Sequence, residues 1–289
     1  MGSSANFGCS AGCGSIPVNG APAMLSVIVQ NGTSIRLQGM TNILLDASKA
    51  YLVEYNADFT TASSNHIIAT ELRLNGKLIP GSQSFSFPTT IPFGQNTPTA
   101  NATGGAIFNT PSSPNPSILQ LIGFSPVEAS GSNFSGVNIR VTEIDNFSSA
   151  GVTRNNAAIF SYGYENVGPV SPVPFLAAKV TNGSGITFST NNRTVIDLAP
   201  NATYFASYSF IESPLMANLS VLVQLTLNGI PLDQSLSVAP SLADGVSRSG
   251  GAGSAVFNTG PGTNKLQLMN MNVQEIKFVS ANVNIIQVG

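Results

Sequence analysis

The chain has 289 residues, of which 42% are hydrophobic and only 8% charged, with a formal net charge of −2. That is a third of the ~25% charge of an average soluble domain, so the composition excludes disorder driven by charge and any electrostatic footprint for nucleic acid. No apolar run approaches the ~20 residues of a membrane span. Asn, Ser and Thr carry the polar load and compete for backbone hydrogen bonds, and 28 Gly with 18 Pro punctuate the chain, which disfavours helix. The expectation is an all-β protein long enough for two domains.

In chain order, residues 1–22 read as an N-terminal arm of small and polar residues carrying Cys9, Cys13 and the run Ile16-Pro17-Val18. Met1 to Gly14 has neither the basic nor the apolar stretch of a secretory signal. Alternation at period two begins with Leu25, Val27 and Val29. It passes Asn31-Gly32, which predicts a tight hairpin, and resumes at Ile35 and Leu37. A short strand at Ile43–Leu45 leads into a strand with Tyr51, Val53 and Tyr55 on one face, then Leu72, Leu74 and a second Asn-Gly turn at Asn75-Gly76. Beyond a Ser/Thr/Pro-rich excursion come Gly104-Gly105-Ala106-Ile107-Phe108-Asn109-Thr110, Leu119-Gln120-Leu121 and Val137-Asn138-Ile139.

All of this occurs twice. Tyr204 and Tyr208, Leu225, Leu227, Asn228 and Gly229 repeat the tyrosine-to-turn stretch at a constant offset of 153 residues (204 less 51, 228 less 75). Gly253-Ser254-Ala255-Val256-Phe257-Asn258-Thr259, Leu266-Gln267-Leu268 and Val283-Asn284-Ile285 repeat the rest. The expected organisation is a β-sandwich or jelly roll at 23–146, a linker at 147–173 and a second jelly roll at 174–289, with slippage confined to loops. Within the linker, Phe160, Tyr162 and Tyr164 are too hydrophobic for a free tether and predict an added strand. Gly168-Pro169-Val170 echoes Ile16-Pro17-Val18, as if each domain were preceded by its own arm.

No residue pattern carries catalysis. His66 is the sole histidine and reads as a solvated loop residue, since a triad also needs a carboxylate to orient the base. Glu143, Asp145 and Asn138 fall short of the six or more oxygens a hard cation wants. Ser249-Gly250-Gly251-Ala252-Gly253, after Arg248, lacks the Lys-Ser/Thr and helix of a phosphate cradle and reads as a flexible loop. The eight Asn-x-Ser/Thr sequons, among them Asn31 and Asn182, mean glycans only in a glycosylating host. Neither metal nor cofactor is implied. Cys9 and Cys13 stand in the arm with no cysteine in either domain. The residues alone leave open a bond to a neighbouring subunit, an internal bridge, or idle thiols.

The tyrosine strand (Tyr204, Tyr208), the Leu-x-Leu-Asn-Gly turn ending at Gly229 and the closing strand Val283–Val288 resemble the tumour necrosis factor and complement-type jelly rolls. The likeness is to the bacterial version that caps exosporium glycoproteins and builds endospore appendages. It covers both halves, but a Gly-x-y stalk is missing and there are two domains in tandem, which shifts the implication from a free trimeric head toward a subunit of a fibre or layer. The resemblance implies N-terminal connectors whose cysteines, here Cys9 and Cys13, lock subunits together while Ile16, Pro17 and Val18 dock. The expected function is therefore a self-assembling structural subunit, not an enzyme, outside the cell or on a spore surface. Its partners are other copies of itself and other spore-surface proteins. The alternatives are a receptor- or glycan-binding head, which predicts an aromatic loop cluster around Phe85, Phe87 and Phe93, and a phage or virion jelly roll.

Overall fold

The computed structural model describes residues 2–61, 67–86, 99–125, 132–144, 155–213, 220–240 and 249–288. The chain divides into two compact units, Met1–Asp145 and Asn146–Gly289. The first holds β1 (Ser4–Cys9), β2 (Ala21–Pro22), β3 (Ser26–Asn31), β4 (Ile35–Gln38), β5 (Asn42–Leu45), β6 (Ala50–Thr60), β7 (Ile68–Leu74), β8 (Lys77–Leu78), β9 (Ser84–Ser86), β10 (Thr99–Asn109), β11 (Ser117–Phe124) and β12 (Asn133–Glu143). The second holds β13 (Asn156–Val167), β14 (Ser171–Pro172), β15 (Ala177–Asn182), β16 (Ile186–Ser189), β17 (Asn192–Leu198), β18 (Thr203–Ser213), β19 (Ser220–Leu227), β20 (Ile230–Pro231), β21 (Ser237–Pro240), β22 (Ser249–Asn258), β23 (Asn264–Asn270) and β24 (Ile276–Gln287).

Each unit is a jelly-roll sandwich of two antiparallel sheets. In the first, one sheet runs β10-β6-β12-β1-β3 and the other β4-β5-β11-β7-β8, with β2 on β11 and β9 on β7. In the second, the same plan reads β22-β18-β24-β13-β15 and β16-β17-β23-β19-β20, with β14 on β23 and β21 on β19. The chain crosses between the two sheets repeatedly, so both inner faces are built from residues far apart in sequence. Their cores hold Phe7, Tyr51, Tyr55, Phe59 and Phe134 in one unit, and Phe175, Tyr204, Tyr208, Phe210 and Phe278 in the other.

Two expectations about boundaries change. Residues 4–9, expected in an arm, form β1, which lies inside a sheet between β12 and β3; Phe7 on it is fully buried. Residues 156–167, expected in a linker as an added strand, form the strand β13, which takes the matching place between β24 and β15 and so belongs to the second unit's own sheet. Ser4 pairs with Asn31 and Asn156 with Asn182, so arm and linker are the same element, the first strand of each copy. Both repeats therefore begin about twenty residues earlier than the apolar alternation suggests. The physical reason is composition. Ala5 and Phe7 on β1, and Ala157 and Ile159 on β13, are the inward positions of a strand flanked on both sides; on β1 the intervening Ser4, Asn6 and Gly8 leave only two apolar positions to show a period, and on β13 the intervening Ala158 and Phe160 are apolar too and blur it.

The predicted hairpin at Asn31-Gly32 is likewise a corner. β3 pairs with β1 and β4 with β5, in different sheets, and of the two residues only Gly32 has positive φ, at 79°. Asn75-Gly76 and Asn228-Gly229 do form tight turns, with φ of 51° and 77° in one and 53° and 79° in the other, as a hairpin with both central residues left-handed requires. The asparagine has a second use. Its Oδ1 accepts from the backbone N–H of Ile118 or Lys265 at 2.8 Å, extending the ladder across the turn.

Candidate functional site

Tyr51 and Tyr204 are fully buried, Tyr55 and Tyr208 nearly so, and all four hydroxyls are spent on structure. Tyr204 donates to Gly185 O at 2.9 Å, Tyr55 to Ser82 O at 2.8 Å, and Tyr208 lies 2.7 Å from Val223 O and 2.6 Å from Ser235 O. Burial pushes the Tyr51, Tyr55 and Tyr208 hydroxyls well above the ordinary tyrosine value, so they remain neutral donors and supply no phenolate. The Tyr55 ring lies over Gly104, its register partner on β10, where an added Cβ would sit 2.5 Å from the hydroxyl oxygen. Tyr208 lies over Gly253 in the same way, where an added Cβ would sit 2.8 Å from its hydroxyl oxygen and 2.5 Å from Ser235 O. The repeated tyrosine and glycine motifs are thus two halves of one packing device, and neither faces a ligand.

The Glu143 carboxylate is equally committed. Lys49 Nζ donates to Glu143 Oε1 at 2.6 Å and to Ser34 Oγ at 2.8 Å, while Glu143 Oε2 accepts from the Ser3 backbone at 3.1 Å. Burial opposes charge on Glu143, but the hydrogen bonds from Lys49 and Ser3, with the Lys49 charge, outweigh it and hold the carboxyl below its usual range. This clamp ties the start of β1 to the end of β12. Among the described residues no group of three or more His, Cys, Asp or Glu could hold a metal ion. His66, Asp145, Arg248, Phe87 and Phe93 lie outside the described residues. The glycine run expected as a flexible loop is instead the first half of β22.

Cys9 and Cys13 are bonded to each other within one chain, with their Cα atoms 5.7 Å apart. The expected bond to a neighbouring subunit is therefore corrected to an internal bridge. Cys9 ends β1, and Cys13 is fully buried in the core of its own unit, where no neighbour's sulfur reaches it. Ile16 is corrected with it. Its N–H donates to Ser132 O at 2.8 Å, Phe134 N–H donates to Gly14 O at 2.9 Å, and the Ile16 side chain is 1% exposed. Only Pro17 and Val18 face outward, on the loop beyond. An open groove of about 530 Å³ between Ser10–Gly12 and Asn133–Ser135 is lined by small, hydroxyl and amide side chains and a phenylalanine, with no acid, base or cation.

The surface feature that stands out lies just after this loop. β3, Ser-Val-Ile-Val-Gln-Asn, is the edge strand of its sheet and is exposed along its whole length, with Val27, Ile28 and Val29 at 49%, 55% and 49%. It pairs with β1 through an irregular register at Asn6/Phe7, and Ile28 lies over Gly8, whose missing Cβ leaves it room. A six-residue strand of high β-propensity, without charge or proline, with one ladder of backbone groups unpaired, recruits another strand. The alternation places Leu25, Val27 and Val29 on one face. The exposure of Ile28 as well was the missed signal, since three β-branched residues in a row cannot all point inward.

Comparison with known proteins finds only distant likenesses. No protein-family model and no curated protein matches the chain. Among solved structures, PRD1 vertex protein P5 is similar at 13% identity and a TM-score of 0.33, over 47% of this chain and 98% of that one. Cucumber Necrosis Virus is similar at 12% identity and 0.24, over 83% and 71%. The ANX1 ectodomain from Arabidopsis thaliana is similar at 7% and 0.23, over 99% and 96%. None of these likenesses is close enough to carry an argument about function.

Proposed function

We propose that this chain is a self-assembling structural subunit, two tandem jelly rolls of the tumour necrosis factor and complement type that build a fibre or layer outside the cell, as on a spore surface. The single observation that carries this is β3, an uncharged, fully exposed edge strand with three consecutive β-branched apolar residues. Soluble monomers blunt such an edge with lysine, proline or a covering loop; here it is bare. The low overall charge removes the repulsion that keeps copies apart. The disulfide fits an oxidising location. The cysteines take no part in joining subunits in this reading, because each is the other's partner.

The test is the state of the purified full-length chain. Negative-stain images and light scattering are expected to show regular polymers growing with concentration, and to show the same polymers with reductant present. A single dispersed species of 29.8 kDa at all concentrations would sink the proposal.

A further inference from the structure

Resting on the assembly reading, we infer that the occupant of the β3 edge is the β22 edge of a second copy, so that the first unit of one molecule adds to the second unit of the next. The inference comes from comparing the sheet edges. The edges at the β3 position in the two units are β3 and its repeat β15. β15 carries the exposed Lys179 midway along its length, the usual device against strand addition, whereas β3 carries no charge. At the opposite side the edges are β10 and its repeat β22. β10 is buried at Ala106, Ile107 and Phe108, whereas β22 alternates, with Val256 58% exposed where its counterpart Ile107 is 1% exposed. β22 has no charged residue either. In the remaining sheets the edges carry Arg36, Lys77, Pro231 or Pro240, or span only three residues in β9 and four in β16. Each unit thus keeps one uncharged, proline-free edge of six residues or more, bare at β3 and touched at β22 where Val256 O accepts from Gln234 Nε2 at 3.1 Å, and the two are at opposite sides of the jelly-roll plan.

Size makes the two edges fit each other better than themselves. β3 presents Val27, Ile28 and Val29; β22 presents Gly250, Ala252 and Ser254 before Val256, with exposed Leu236 and Val238 on the adjoining η1–β21 segment, where η1 is the 3-10 turn Asp233–Ser235. Bulky residues opposite glycine and alanine cover the exposed backbone of the glycine-rich strand, as cross-strand rescue of edge glycines does. Two β22 strands placed together bury little side chain. A β3–β22 contact joins different surfaces on the two partners, so it is heterologous and does not close a dimer. Backbone hydrogen bonds supply affinity and alternate side chains the register.

The experiment uses lysine as the probe, copying the protection already present at Lys179. Val29→Lys caps the β3 edge and Val256→Lys caps the β22 edge; Val27→Lys and Ala252→Lys are second versions should either first choice fail to fold, judged by circular dichroism and melting temperature. Each variant alone is expected to sediment as monomer. Mixed in equal amounts, Val29→Lys and Val256→Lys each retain one intact complementary edge and are expected to form one-to-one dimers and nothing larger. Val256→Lys dimerising on its own would overturn the pairing in favour of β3 against β3, and Val29→Lys dimerising alone in favour of β22 against β22. Polymers unchanged in both variants would overturn the edge pairing while leaving assembly intact, whereas a monomeric wild type overturns both.

Discussion

Breaking the Cys9–Cys13 bridge tests whether the disulfide is a local staple or an assembly lock. A bridge at a sequence separation of 4 closes a very short loop. Chain entropy for a loop of that size is worth about 2 kcal/mol at 25 °C, the low end of what disulfides contribute. The pair Cys9→Ala with Cys13→Ala removes that constraint, and leaves a small void at position 13, which is fully buried. The expected loss is therefore about 2–3 kcal/mol, confined to Met1–Asp145. With an m-value of ~2 kcal/mol/M, this lowers the urea midpoint of that unit by about 1 M or slightly more. Hydrogen exchange read peptide by peptide across a urea series separates the two units. Exchange in β18 and β24 should not move, and polymers should form as before, with no reductant-dependent ladder on a denaturing gel. Loss of polymers in a variant whose first unit remains folded, or disulfide-linked multimers from the wild type, would refute the reasoning.

Three further outcomes follow from the same contacts. Gly104→Ala places a methyl 2.5 Å from the buried Tyr55 hydroxyl, and Gly253→Ala places one 2.5 Å from the Ser235 carbonyl oxygen and 2.8 Å from the Tyr208 hydroxyl; each should cost about 1–3 kcal/mol in its own unit, more at Gly253, where the nearest atom is backbone, as read by thermal denaturation. Because the folded Glu143 carboxyl is held below its unfolded value, its contribution is complete above about pH 4.5 and is lost as pH falls through the folded value. Glu143→Gln should cost about 1.5–3 kcal/mol near neutral pH, with the gap to wild type narrowing in acid melts; a constant gap would contradict the clamp. Lys179→Val bares the β15 edge and should add a new mode of association, seen as a shift to larger species in sedimentation velocity and as altered polymer form in images.

What could be read in advance divides along physical lines. The repeated tyrosines and Asn-Gly turns were legible because a buried alternating face and a left-handed turn each restrict residue choice tightly. β13 was legible as an added strand from Phe160, Tyr162 and Tyr164, though not as the first strand of its repeat; β1 was not, because a strand whose intervening residues are Ser, Asn and Gly shows no apolar period, and only the pairing of Asn6 and Phe7 against β12 reveals it. Asn31-Gly32 misled for a related reason: the dipeptide marks a reversal of direction, not whether the two strands stay in one sheet. Sequence could not tell Cys9 and Cys13 in a strand end from the same pair in a free arm, and the disulfide changed partner once β1 was in place. The β3 edge lay in plain view as Val27-Ile28-Val29, yet edge and interior strands read alike until the sheet order is known.

The most direct measurement is hydrogen–deuterium exchange of the peptide covering Ser26–Asn31, compared between wild-type polymers and dispersed Val256→Lys protein. Slow exchange in the polymer and fast exchange in the dispersed variant, mirrored by a peptide over Ser249–Asn258 when Val29→Lys is the dispersed form, is the predicted result. Equally fast exchange of β3 in both states would show that assembly, where it occurs, leaves this edge free, and would contradict the account.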